Sequence, residues 1–239
     1  MNIRLDDLQT KGYFIYQDTD SFCFGIDAVL LSSFAAKGTR RKDSVMDLCA
    51  GNGIVPILLK AKADPKEITA VEVNGDMCAL FQKSLEYNSI DNVNIINGDL
   101  KTLDRNLYNS FDVLTVNPPY YRADSGEMSE NSSLSAARHE ILCTFEDIAE
   151  VSSKCLKTKG RMFLIHRTPR LSEVIETLEK YRLAVKEIRF IHPSKDKDSN
   201  LFLLKAVKNG GKGTKVVKPL VVYGDDGSYT EDLLKMYDE

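Results

Sequence analysis

The chain has 239 residues, 43% of them apolar and 28% charged, and a formal net charge of −3; such a length and balance fit one large domain with a real core. Met1 to Asp7 hold no apolar signal core, and no apolar run approaches the ~20 residues of a membrane helix, so neither a leader nor a membrane span is expected. Cys23, Cys49, Cys78, Cys143 and Cys155 are scattered without a Cys-x-x-Cys pair, which argues against a disulfide framework or zinc ribbon and for a cytosolic, cytoplasmic setting.

Short β-like pieces are expected at Tyr13–Gln17 and Ser21–Phe24, then a helix over Ile26–Ala36 and a polar connection over Lys37–Asp43. Strands and helices then alternate: strand Val45–Cys49, turn Ala50–Gly53, helix Ile54–Ala63, strand Ile68–Val73, helix Asp76–Asn88, strand Val93–Ile96 and strand Phe111–Val116. Residues 121–137 are polar and Ser-rich and read as a mobile loop. Helix Phe145–Leu156, strand Arg161–His166 and helix Leu171–Tyr181 follow, and then strands Ala184–Ile191 and Leu201–Val207 with a turn at Pro193. A glycine-lysine loop at 210–213 and a tail with an Asp225-Asp226-Gly227 turn and a short acidic helix close the chain. Alternation of this kind predicts an α/β, doubly wound, Rossmann-like sheet, mostly parallel. The last two strands, joined without a helix, predict an antiparallel addition at one edge. One domain spans 1–239, with an extension over 1–43, a core over 44–207 and a basic loop and tail over 208–239.

Asp47-x-Cys49-x-Gly51-x-Gly53 falls where a strand meets a helix. Two glycines permit a tight turn and close approach of backbone to a ligand, beside the free N–H groups of a helix start. Glu72, twenty-one residues past Gly51, ends the next strand and suits the two hydroxyls of a ribose. Dinucleotide sites place a third glycine where this chain has Pro56. An anionic Asp47 is also unwelcome near a pyrophosphate but suits an ammonium group. S-adenosylmethionine therefore fits better than a nicotinamide dinucleotide; an ordinary strand-turn-helix is the plainer alternative. Asp99, after Asn97-Gly98, can accept from an adenine amino group, or serve simply as turn chemistry.

Asn117-Pro118-Pro119-Tyr120 follows the Phe111–Val116 strand. Two prolines fix φ, so the Asn117 side chain and the Pro118 carbonyl are held rigidly at the carboxyl edge, where doubly wound sheets bind ligands. An amino group on a conjugated ring is a poor nucleophile because its lone pair is delocalised. Two acceptors that take its hydrogens favour the pyramidal nitrogen that can attack a methyl group, and Tyr120 offers a stacking face. A loop that merely ends a strand is the plainer alternative.

Together these segments resemble the successive motifs of class I S-adenosylmethionine-dependent amino-methyltransferases. Phe24 to Leu31 resembles the stretch those enzymes place over the methionine end of the cofactor. Ala137-Arg138-His139-Glu140, Pro219-Leu220, Tyr223 and Tyr229-Thr230 narrow the resemblance to tRNA adenine-N6 methyltransferases acting just 3′ of the anticodon of a valine tRNA. One departure is Ile26, where related sequences often carry Thr. The resemblance implies Asn117, Pro118, Pro119 and Tyr120 as catalytic residues. It implies a cofactor site of Gly25, Asp27, Asp47, Cys49, Gly51, Gly53, Glu72, Asp99 and Asn117, with S-adenosylhomocysteine as product and no metal. Protein glutamine-N5, rRNA and DNA amino-methyltransferases share the core motifs. The first of these normally brings an N-terminal helical domain and the last a target-recognition domain, for which this chain has little room.

Residues 154–218 hold 17 Lys and Arg against 6 Asp and Glu, a local +11 that leaves −14 elsewhere. RNA needs a basic face rather than a basic protein, although a solvated surface accounts for the charge equally well. Lys195, Lys197, Lys208, Lys212 and Lys215, with Arg122 and Arg138 beside the polar loop, are the expected contacts to RNA, with tRNA the expected kind. No membrane partner is expected, and the chain is expected to act as a monomer or weak homodimer.

Overall fold

A computed structural model describes residues 2–20, 23–119 and 143–238. The expected Tyr120, the 121–137 loop, Arg122, Arg138, His139 and Glu140 lie outside the described residues.

The chain opens with β1 (Ile3–Asp7) and β2 (Phe14–Asp18), an antiparallel hairpin, followed by α1 (Ile26–Ala36). The core contains β3 (Ser44–Leu48), α2 (Ile54–Ala63), β4 (Glu67–Glu72), α3 (Gly75–Tyr87), β5 (Val93–Asn97) and β6 (Phe111–Val116). Next come α4 (Phe145–Cys155), β7 (Leu156–Arg167), α5 (Leu171–Lys180), β8 (Leu183–His192) and β9 (Leu201–Lys208). The tail adds β10 (Lys215–Val216), β11 (Leu220–Val221) and α6 (Glu231–Asp238). The main sheet runs β10-β8-β9-β7-β6-β3-β4-β5, with β11 also on β8. β3 pairs in parallel with β4 and β6, β4 with β5, and β6 with β7.

Alternation along the buried strands divides the core into two layers. Val45, Val113, Phe163 and Ile165 face α1, α2 and α3 on one side of the sheet. Met46, Leu48, Leu114, Met162 and Leu164 face α4 and α5 on the other. Local chemistry sets the helix starts. Asn74 Oδ1 accepts from Asp76 N at 2.9 Å and Met77 N at 3.3 Å to cap α3. Thr144 and Asp147 form a reciprocal capping box at α4.

Several details differ from the sequence reading. The last two strands do form the expected antiparallel addition at one edge; what the sequence reading lacks is the pair of two-residue strands β10 and β11, which run parallel to β8 beyond them. The N-terminal hairpin pairs β2 with Ile3–Asp7. Cys23 and Phe24 are not in a strand: Phe24 N donates to the Gln17 side-chain oxygen at 2.9 Å, which turns the chain away from any ladder. The tail is tied back to the fold, because Lys62 Nζ reaches the carbonyls of Met236 and Tyr237 at 2.8 and 3.0 Å. No helix among the described residues is long and apolar enough to cross a membrane.

Candidate functional site

Parallel pairing places the carboxyl ends of β3, β4, β5 and β6 side by side. Leu48 is in register with Val71 on one side and Val116 on the other, and Glu72 with Asn97. The turn after β3 therefore lies between Glu72 and Asn117.

That turn is left-handed at Cys49 (φ 59°), Gly51 (φ 56°) and Gly53 (φ 86°). A side chain on Gly53 would run into the Phe81 ring, so this glycine packs α2 against α3. A Cβ on Gly51 would meet no atom within 4 Å, which leaves the backbone there open to a ligand. No side chain caps α2, so its first-turn N–H groups face the same space. Asn52 Nδ2 reaches the Tyr16 carbonyl at 3.4 Å and ties the turn to the N-terminal hairpin.

Glu72, 8% exposed, braces the turn. One carboxylate oxygen accepts from Gly51 N at 2.8 Å and the other from Asn74 N at 2.8 Å. Each oxygen has a second lone pair, so the group can hold the turn and still accept from hydroxyls. Beside it Val73 is 43% exposed and offers an apolar surface to a flat ring. Asn97 was not singled out by the sequence. Its side-chain nitrogen reaches the carbonyls of Glu72 and Val73 at 3.0 and 3.1 Å and fixes the end of β5 to that of β4. Asp99 is half-buried and starts a short 3₁₀ turn, accepting from Lys101 N at 2.9 Å.

Asp47 lies near the end of β3, beneath the turn. It is 2% exposed, and its carboxyl accepts from the Thr115 hydroxyl on the adjoining strand. Burial pushes its pKa up to about 8; the Thr115 hydrogen bond works against that rise and nearby Glu72 adds to it. Cys49 is linked to Cys143, just ahead of α4, by a thiol–thiol hydrogen bond that, with burial, raises the Cys49 pKa well above the usual thiol range.

Asn117 is half-buried, Pro118 buried and Pro119 half-buried at the end of β6. Asn117 Nδ2 lies 3.4 Å from Asp27 Oδ2. Asp27, 8% exposed, stands in the first turn of α1, with the Gly25 backbone packed against its carboxylate. The N-terminal extension thus reaches the tetrad directly. Behind the prolines is a cavity of about 10 Å³ lined by Cys143, Phe145 and His166. His166 is 1% exposed and stacks on Phe202 at 6.3 Å. Burial lowers its pKa to about 4, and Nδ1 accepts from Arg167 N at 2.8 Å, so the neutral ring supports the loop. Nothing in the spacing of the three histidines had pointed to it.

Among the described residues, the expected RNA contacts Lys195 and Lys197 stand apart from Lys215. Lys195 and Lys197 follow the carboxyl end of β8, and Lys195 pairs with Asp225 at 2.7 Å. Lys215 sits opposite Glu187, and the strand from there to His192 covers about 16 Å. Lys212 lies near Lys186, whose ammonium accepts no bond but donates to the Lys212 carbonyl at 3.1 Å. Among the described residues, no group of three or more His, Cys, Asp or Glu could hold a metal ion.

Comparison with known proteins matches residues 11–191 to the model of the methyltransferase small domain. A tRNA1(Val) (adenine(37)-N6)-methyltransferase of Shewanella woodyi is 27% identical over 219 residues, covering 88% of each chain. The Flavobacterium johnsoniae protein of that name is 27% identical over 158 residues, 66% of each chain. Among solved structures, a predicted O-methyltransferase of Agrobacterium tumefaciens superposes with a TM-score of 0.71 at 24% identity, covering 89% of this chain and 97% of that one. The M. jannaschii protein TYW2, in complex with AdoMet, gives 0.60 at 15% identity over 86% and 85%. With its Rossmann-like sheet and a family model covering most of its length, the chain belongs to the methyltransferase small-domain family.

Proposed function

We propose that the protein transfers a methyl group from S-adenosylmethionine to the N6 amino group of an adenine in tRNA, at the anticodon-loop position 3′ of the anticodon in a valine tRNA. The observation that carries this reading is the adjacency of Gly51 and Asn117 at the ends of two paired strands, β3 and β6. The names of the Shewanella and Flavobacterium relatives support the choice of adenine and tRNA.

The cofactor fits the residues present: open backbone at Gly51, a carboxylate at Glu72, and exposed Val73 beside it. When bound, it supplies an electrophilic methyl on a sulfonium. Glu72 would accept from the ribose hydroxyls while holding Gly51 N and Asn74 N, and Asp99 would accept from the adenine amino group. Asp27 accepts from the Asn117 amide nitrogen, and the amide oxygen is the acceptor we assign to the target. That oxygen and the Pro118 carbonyl take the two hydrogens of the target amino group and favour the pyramidal nitrogen. Tyr120 stacks on the extruded base. No strong base is needed, because the proton becomes acidic as the nitrogen is alkylated. Positioning and preorganised acceptors carry the rate.

The test is transfer of labelled methyl to total tRNA, followed by digestion to nucleosides. N6-methyladenosine is the expected product. Label on protein glutamine with tRNA untouched would refute the reading.

A further inference from the structure

A cleft of about 460 Å³ opens on the side of the sheet opposite the methyl-transfer site. It lies at the amino ends of β6, β7 and β8. Tyr108 and Asn109 precede β6, Lys154 ends α4, Tyr181 and Arg182 join α5 to β8, and Lys208 ends β9. β6 is 6 residues long, which sets the cleft about 20 Å from Asn117. A group bound here is too far from Asn117 to take part in the chemical step itself. The volume is nevertheless that of a small-molecule site.

Its chemistry is basic and aromatic. Lys154, Lys180, Arg182 and Lys208 line it against a single acid, Glu150. Lys154 pairs with Glu150 at 2.6 Å, and Lys180 pairs with Glu146 outside the lining. The exposed Arg182 guanidinium makes no hydrogen bond or ion pair among the described residues. Lys208 Nζ donates to Asn109 Oδ1 at 2.8 Å and to the Leu156 carbonyl at 2.6 Å, neither a charged partner. Burial lowers its pKa, so an anion arriving there restores favourable surroundings to the ammonium. Two rings complete the lining. Tyr181 is pinned by its hydroxyl, which donates to Glu146 at 2.9 Å, and Lys154 sits 6.0 Å from the Tyr108 centroid. Aromatic faces beside cations are the means by which proteins hold a base and its phosphate.

The backbone gives a third indication. Asn109 (φ 53°), Arg182 (φ 59°) and Asn209 (φ 53°) are all left-handed and all line this cleft. Asn adopts that conformation more readily than Arg. Arg182 is held there by its carbonyl, which accepts from Asn209 N at 2.8 Å. Strain of this kind accumulates at functional positions.

We propose that this cleft binds a nucleoside phosphate, with the base against Tyr108 and Tyr181 and the phosphate against Arg182 and Lys208. The nucleotide is either free or part of a bound RNA. The site stands apart from the methyl-transfer reading, and either can fail without the other.

The test is amide NMR on ¹⁵N-labelled full-length protein, titrated with AMP, adenosine and inorganic phosphate, then with an unmodified tRNA transcript. Arg182→Gly keeps the left-handed backbone and removes the cation. A free-nucleotide site predicts saturable shifts at Asn109, Arg182 and Asn209 with AMP. Adenosine and phosphate should each bind about ten-fold more weakly than AMP, and Arg182→Gly should weaken AMP by about ten-fold. S-adenosylhomocysteine binding, measured separately, should stay unchanged. An RNA-borne nucleotide predicts that tRNA, but not AMP, moves those amides and that Arg182→Gly weakens tRNA about three-fold or more. The proposal is overturned if neither ligand moves them, or if inorganic phosphate binds as tightly as AMP.

Discussion

Asn117 Nδ2 lies 3.4 Å from Asp27 Oδ2, across 90 residues of sequence. A carboxylate accepts hydrogen bonds and donates none. The Asn117 amide must therefore turn its nitrogen toward α1 and its oxygen away from it. On the proposed mechanism this orients the acceptor for the target amino group before substrate arrives. On that mechanism Asp27 therefore acts through Asn117, as a positioning residue.

A double-mutant cycle tests this link. Asp27→Asn is expected to lower kcat by about ten-fold, through loss of a fixed amide orientation. In an Asn117→Ala background the same change should cost little more, because the two residues act as one unit. Fully additive losses would show that Asp27 serves the reaction by another route.

The two glycines of the turn should respond differently. Gly53→Ala must push the Phe81 ring aside at a left-handed position, and should destabilise the fold by about 1–3 kcal/mol in denaturant unfolding. Gly51→Ala meets no neighbouring atom, so it should leave much of that stability intact while weakening S-adenosylhomocysteine binding. Equal stability losses with unaltered binding would remove Gly51 from the cofactor site.

Glu72→Ala removes the acceptor of both Gly51 N and Asn74 N. Binding of S-adenosylhomocysteine should weaken by about 1–3 kcal/mol in calorimetry. NAD should not bind the wild-type protein. Tight NAD binding without S-adenosylhomocysteine binding would reverse the cofactor assignment.

Asp47 makes stability depend on pH. Its folded pKa of about 8 lies above the ordinary 3.8, so between these values the folded protein holds more protons than the unfolded chain. Stability from this group is full below pH ~4 and is lost as pH rises toward ~8. His166 works in the opposite sense. Its folded pKa of about 4 lies below 6.5, so its contribution is lost as pH falls through that window. Asp47→Asn should flatten the alkaline decline measured by urea unfolding between pH 6 and 8 and leave the acid side in place. An unchanged alkaline decline would show that Asp47 is not the group responsible.

The features legible from sequence are those written in short segments. Asp47 to Gly53 shows a turn between strand and helix, and Asn117-Pro118-Pro119 shows a stiffened strand end. Relations between distant segments were not legible. Asp27 meets Asn117 only because α1 packs where β6 ends. Asn97 closes the cofactor edge only because β5 pairs with β4. The antiparallel addition of β8 and β9 was legible, whereas the two-residue β10 and β11 that pair with β8 carry too little pattern to be read. Periodicity likewise counts Lys195, Lys197, Lys212 and Lys215 as one basic stretch. Strand direction separates them, placing the first two by the carboxyl end of β8 and Lys215 opposite Glu187. The contact of Asp47 with Thr115 was not legible either, because it depends on which strand neighbours β3.

The most direct test of the account is single-turnover methyl transfer by Asn117→Ala on an unmodified valine tRNA transcript, at saturating S-adenosylmethionine. The account predicts a rate about a hundred-fold or more below wild type, similar to removing one preorganised polar group, with S-adenosylhomocysteine affinity little changed. A near-normal rate would contradict it and leave the Asn117 segment a structural end to β6.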